Sequence, residues 1–151
     1  RNSKIMTVHL LRMAVRVESA GHLRTIQAER MQESAKSRKK QRLFTYTRNA
    51  PRRDKELLDG GSIYWVVKRY IRVRQKILGI ESATNDEGRR YCSIELDPEL
   101  VLVEPRRHKA FQGWRYFRTE DVPGDILEQS ATEVDSLPLE LADELRDLGL
   151  I

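Results

Sequence analysis

SIYWVVK at residues 62–68, then Arg69, then YIRVRQKILGI at residues 70–80, is the stretch that decides the fold. Its first half is continuous, aromatic and β-branched, the composition of a strand buried on both faces. In its second half Ile71, Val73 and Ile77 alternate with Arg72, Arg74 and Lys76. A period of two places those three cations on one face of a second strand. Two strands this close in sequence need a tight turn, and a tight turn implies antiparallel pairing.

Downstream, Asn85-Asp86-Glu87-Gly88 is a turn by composition, and residues 89–96 read as the returning strand. Asp97-Pro98-Glu99 breaks it, residues 100–103 form another short strand, and residues 105–109 a basic loop. Residues 111–117, FQGWRYF, are aromatic with an internal glycine. Upstream, residues 6–15 read as a strand with apolar side chains on both faces. A helix is expected over 19–41, with Ser19 as N-cap and Leu23, Ile26, Met31 and Ala35 as its apolar stripe. Residues 43–48 form a short strand. Pro51 opens a short helix through Leu58, and Asp59-Gly60-Gly61 ends it. Beyond the last strands, residues 119–126 are a turn or one helical turn. The expected organisation is one domain over 6–127, a linker over 128–136, and a helix over 137–151 packing on the domain through Leu141, Leu145 and Leu148. The fold class expected is α+β: a small, mostly antiparallel, curved sheet or open barrel with flanking helices.

Charged residues make up 34% of the 151, so the surface is densely charged. The charge is segregated: +11 over residues 1–53, +3 over 54–118 and −9 over 119–151. Two arrangements follow from a basic front and an acidic end. Either the acidic segment folds back on the basic surface, or the basic surface meets an external polyanion. The run Lys36-Ser37-Arg38-Lys39-Lys40-Gln41-Arg42 is the most basic in the chain. It suits a helix C-terminus as well as a nucleic-acid patch.

The chemistry of common catalytic sites is not legible. Gly60-Gly61 has neither the spacing nor the following Lys-Ser/Thr of a phosphate loop. His9, His22 and His108 sit in separate segments, so no metal site and no cofactor is expected, and His9 reads as a packed, hydrogen-bonded residue. No nucleophile elbow is present. Cys92, the single cysteine, sits among apolar residues and reads as a buried structural thiol in a reducing, cytoplasmic setting. No apolar run reaches the roughly 20 residues that span a bilayer, and no membrane partner is expected. Met6 reads as a natural start, and residues 1–5 enter no functional argument.

Several stretches in one order carry a resemblance: residues 6–10 (MTVHL), residues 59–68 (DGGSIYWVVK) followed by Arg74, Gln75 and Ile77, residues 96–101 (LDPELV) and residues 111–116 (FQGWRY). Together they resemble a family of short alphaproteobacterial proteins known as domain of unknown function 1489. The chain departs from it at Arg69, where a glycine is expected, and in the basic run 36–42. The family name implies no activity. More remotely, the order of elements is similar to PUA-like domains of the ASCH and EVE groups. That similarity implies a small barrel and RNA or modified-base binding, with nucleoside hydrolysis in some ASCH members.

The function expected is therefore a non-enzymatic nucleic-acid-binding module, RNA in preference to DNA, or a subunit that docks a ribonucleoprotein. Lys68, Arg72, Arg74, Lys76 and Arg115 would hold the backbone, Gln112 would lie beside them, and Trp114 would stack a base. The alternative for Trp114, Tyr116 and Phe117 is a place in the core, with Arg115 paired to a carboxylate. Two other functions stay open: a small hydrolase acting on a modified nucleoside, which needs a pocket with a lysine and a carboxylate in contact, and a protein–protein interaction subunit.

Overall fold

The computed structural model describes residues 6–38 and 42–126. In chain order its elements are β1 (Val8–Met13), α1 (Ala20–Arg38), β2 (Leu43–Thr47), α2 (Asp54–Leu58), β3 (Ser62–Val67), β4 (Tyr70–Thr84), β5 (Arg90–Leu96), β6 (Val101–Arg107) and β7 (Trp114–Arg118), then a 3₁₀ turn, Thr119–Asp121. The expected linker over 128–136 and helix over 137–151 lie outside the described residues.

The architecture is α+β: a seven-stranded open sheet with few helices. The strand order is β2-β5-β4-β3-β1-β7, and β6 pairs with β4 off this path. The pairings are antiparallel except for β1 with β3, which run parallel with Leu10 opposite Ile63. The all-buried SIYWVV run of β3 sits at the middle of the path, between β4 and β1. That is where a strand with apolar side chains on both faces loses most contact with water.

β3 and β4 are joined by Lys68 and Arg69 alone, with Val67 opposite Tyr70. Both linking residues have positive φ, 47° and 74°. A two-residue hairpin loop whose twist matches its strands requires this conformation, and a side chain opposes it. The glycine expected at position 69 is what such a turn favours; Arg69 fills it under strain. The next turn follows its composition: Asn85 Oδ1 accepts from the N–H groups of Glu87 and Arg89, both at 2.9 Å, and Gly88 takes φ 81°.

The regular alternation expected of β4 is broken at Arg72. Trp65 pairs with Val73 and Val66 with Ile71, so Arg72 is the extra residue of a β-bulge. Ile71 therefore packs on one face of the sheet and Val73 on the other. The first face carries the main core, where Leu23 of α1 and Leu57 of α2 meet Leu10, Ile63, Trp65, Val73, Ile77, Ile94 and Leu96. The second face has a smaller cluster of Leu11, Tyr64, Val66, Ile71 and Val103, flanked by Phe111, Phe117 and Val122.

Helix α1 begins as its cap predicts. Ser19 Oγ accepts from the His22 N–H at 3.0 Å, and His22 Nδ1 accepts in return from the Glu18 N–H at 3.0 Å. One buried position of α1 is polar: Gln27 faces Gln75 of β4. Their amides exchange two hydrogen bonds, at 2.9 and 2.8 Å, while Gln75 also accepts from Trp65 Nε1 and donates to the Asp97 carbonyl.

The sheet brings β1 and β2 within side-chain reach although three strands separate them along its path: Arg12 donates to Thr45 Oγ1 at 2.7 Å. Its edges are linked by a loop rather than by strand pairing. Trp114 Nε1 of β7 donates to the Asn49 carbonyl, and Tyr116 Oη accepts from the N–H groups of Arg52 and Arg53.

Candidate nucleic-acid interface

Strand β2 is an edge strand whose side chains divide cleanly. Leu43, Thr45 and Thr47 are buried, while Phe44 and Tyr46 point to the other face. Register with β5 sets Phe44 opposite Glu95 and Tyr46 opposite Ser93, which places Tyr91 diagonally beside Tyr46. The three rings form a continuous strip. Phe44 and Tyr46 lie 6.3 Å apart and nearly parallel, and Tyr46 meets Tyr91 at 6.0 Å. Tyr46 is 52% exposed, and Phe44 and Tyr91 on either side of it are partly exposed.

Depressions flank the strip. At one end Arg48, Asn49, Ala50, Arg52, Ser82 and Arg90 surround a hollow of about 570 Å³ that reaches Tyr91. Among the described residues no carboxylate pairs with Arg48, Arg52 or Arg90. At the other end a groove of about 840 Å³ runs between α1 and β2, bounded by Ile26, Arg30, Lys36, Phe44 and Tyr46, with Glu29 and Glu33 on its helix side. Arg42 lies over the Phe44 ring at 4.9 Å and is held there by both carboxylate oxygens of Glu95, at 2.8 and 3.1 Å.

The residues expected from sequence to form one patch are not gathered into one. Lys68 sits in the β3–β4 turn, its ammonium 2.6 Å from Glu18. Arg72, at the bulge, is 2% exposed and lies 4.6 Å over the Tyr70 ring. Arg74 is gripped by both oxygens of Asp125, at 2.7 and 2.6 Å, and also donates to Ser62 Oγ. That contact holds the Asp125 carboxyl below its ordinary value. Lys76 is exposed. The expectation of three aligned cations fails because the bulge interrupts the alternation before Arg74. Trp114 is half-buried against Tyr116, 4.9 Å away, and pinned to Asn49. Arg115 lies over Phe111 at 4.7 Å, and Gln112 is exposed in the preceding loop. Lys68 and Glu18 are in contact but line none of these hollows; the lysine–carboxylate contact that does lie in one is Lys36 with Glu33, 3.4 Å apart on the solvent side of the groove between α1 and β2. Sequence reasoning missed the strip because its rings come from segments 45 residues apart. The alternating Phe44 and Tyr46 were the available signal.

On the second face, His9 Nδ1 accepts from the Ser62 N–H at 3.0 Å, so the ring is neutral with its proton on Nε2, 3.4 Å from Thr119 Oγ1. Burial, and then the charge of Arg74, lower the His9 pKa from 6.5. Above pH 6.5 the ring is neutral folded or unfolded, and its contribution is intact. Below 6.5 the unfolded chain takes up a proton that the folded ring resists, so stability falls as the pH drops toward and through the lowered folded value. His9→Asn offers an amide oxygen in place of Nδ1. Urea unfolding at pH 7.5 and 5.5 is expected to show a smaller acid loss for His9→Asn than for the parent; equal losses would remove His9 as the source.

Cys92 is fully buried, and burial pushes its thiol up. Among the described residues no group of three or more His, Cys, Asp or Glu is placed to hold a metal ion, and no helix is long and apolar enough to cross a membrane. No curated protein and no solved structure matches the chain. One family does: Protein of unknown function (DUF1489) matches residues 10–151. That match takes in both edges of the sheet, the aromatic strip and the core that supports it, and the chain belongs to the DUF1489 family.

Proposed function

We propose that this protein is a non-enzymatic module that binds single-stranded nucleic acid, RNA in preference to DNA, across Phe44, Tyr46 and Tyr91. The strip carries the reading: two rings on the edge strand β2 adjoining a third on β5, one of them half-exposed, with an arginine-rimmed hollow at the Tyr91 end. Successive bases stack on such rings irrespective of sequence, and guanidinium groups beside them hold the phosphates. The same reading takes the open sheet as a distant PUA-like arrangement, supported by the loop that ties β7 to the end of β2. It places the protein in the cytoplasm, where the lone buried thiol of Cys92 suits a reducing medium.

The test is binding of the full chain to RNA and DNA oligomers, single- and double-stranded, over a range of salt. Tyr46→Ala with Tyr91→Ala is expected to weaken single-strand binding about tenfold or more for each stacked base lost. Arg48→Gln with Arg90→Gln is expected to flatten the log–log salt dependence by roughly 0.7 per residue. Saturable binding that neither pair alters would place the interface elsewhere. No binding at low salt would overturn the reading in favour of a protein partner.

A further inference from the structure

Behind the groove between α1 and β2 lies a smaller cavity of about 190 Å³, and the two share Ile26, Arg30 and Phe44 in their walls. Apart from Arg12 and Arg30 its lining is apolar or uncharged, with Val17, Leu23, Trp65 and Leu96 toward the core. Two guanidinium groups, Arg12 and Arg30, come to this cavity from different elements, β1 and α1. Arg12 is half-buried on the core face of its strand, where it pairs with Trp65 on one side and Trp114 on the other. Among the described residues its side chain donates to Thr45 Oγ1, which fixes the guanidinium and leaves further N–H donors to meet a ligand.

Arg12 is partly desolvated and the exposed Arg30 adds a like charge at the mouth of the same space, a repulsion that an anion between them relieves. Burial, and then the charge of Arg30, lower the affinity of the Arg12 guanidinium for its proton. Among the described residues no carboxylate pairs with either group, and Glu29 and Glu33 line only the outer groove. By contrast, Arg42 in the wall of the outer groove is neutralised by Glu95, and Arg74 on the far face by Asp125.

We propose that Arg12 and Arg30 form the receptor for a phosphate monoester, the terminal phosphate of a nucleotide, whose base and sugar leave the cavity along Phe44. A monoester carries close to two negative charges at neutral pH and three acceptor oxygens, which two guanidinium groups can bind in a forked manner. An internal phosphodiester carries one charge and has chain on both sides, which a cavity closed by Leu23, Trp65 and Leu96 does not admit. The site has two possible sources of ligand, a free mononucleotide or the end of a strand lying on the aromatic strip. The second rests on the function proposed above.

The experiment measures the affinity of the full chain for AMP against adenosine, and for an RNA oligomer with a terminal phosphate, at either end, against a hydroxyl-ended oligomer one nucleotide longer. The phosphate is expected to improve affinity about tenfold or more in at least one of the two pairs. Arg12→Gln, which keeps a donor for Thr45, and the exposed Arg30→Gln are each expected to abolish that preference. Binding of hydroxyl-ended RNA, carried by Tyr46 and Tyr91, is expected to remain. AMP binding without oligomer binding supports the receptor and removes the strand reading. Oligomer binding with no preference for a terminal phosphate, and none for AMP over adenosine, overturns the receptor and leaves the strand reading intact. A phosphate preference that survives Arg30→Gln with a folded protein also overturns it.

Discussion

Gly61→Ala is expected to cost about 3 kcal/mol or more, a large part of what holds a domain of this size. A Cβ at this position would lie 2.4 Å from two carbonyl oxygens, those of Leu57 and Val8. Neither is the free end of a side chain. The Leu57 oxygen already accepts the Gly61 N–H at 2.9 Å, and Val8 is fully packed in β1. Relief therefore requires α2 to move off β1, which would uncover Leu57, 0% exposed, and pull on Ile77, whose N–H is bonded to the Gly61 carbonyl. The adjacent Gly60→Ala is the control. Gly60 has φ 83° with nothing within 4 Å of an added Cβ, so the loss there is conformational strain alone, about 1 kcal/mol. Urea titrations of both variants measure the difference. Equal midpoints would show that the helix–strand approach at Gly61 is looser than the distances state.

Gln75→Leu is the second large effect, an expected loss of about 3–5 kcal/mol. Gln75 is 0% exposed and its amide serves three partners: Gln27 twice, the indole N–H of Trp65, and the Asp97 carbonyl. Replacing it leaves each of those groups in a dry interior without its bond, and the desolvation of each is then uncompensated. Adding Gln27→Leu removes two of the orphaned groups, so the double variant is expected to be more stable than the sum of the two single losses implies. A double-mutant cycle measures that coupling. Simple additivity would mean that the two amides do not bond each other. The network also ties α1 to β3 and β4, and α1 forms one wall of the groove that carries Arg30. Loosening it is expected to weaken any ligand held there.

The secondary elements were largely legible, and the reasons are local. The β-branched and aromatic run of β3 admits few other conformations. Asn85 makes its turn with its own side chain, and Ser19 caps α1 within one helical turn. The bulge at Arg72 was not legible, because nothing in YIRVRQK marks where two strands fall out of step. Its consequence is that Arg72, Arg74 and Lys76 have three different environments: buried over Tyr70, bound to Asp125, and exposed. The parallel pairing of β1 with β3 was equally hidden. It joins strands separated by a helix, a strand and a second helix.

By itself the sequence determined the α+β class, the β3–β4 hairpin, the cap of α1, the glycine stop after α2 and the family, since each depends on residues within a few positions of one another or on motifs in order. Only the tertiary structure decided which charges are neutralised and which converge. Arg74 meets Asp125 across 51 residues, Arg12 reaches Thr45 across 33, and Tyr46 meets Tyr91 across 45. Such contacts follow from strand register and from the bending of the sheet. Both are set by the packing of the whole core, which no local pattern of side chains encodes.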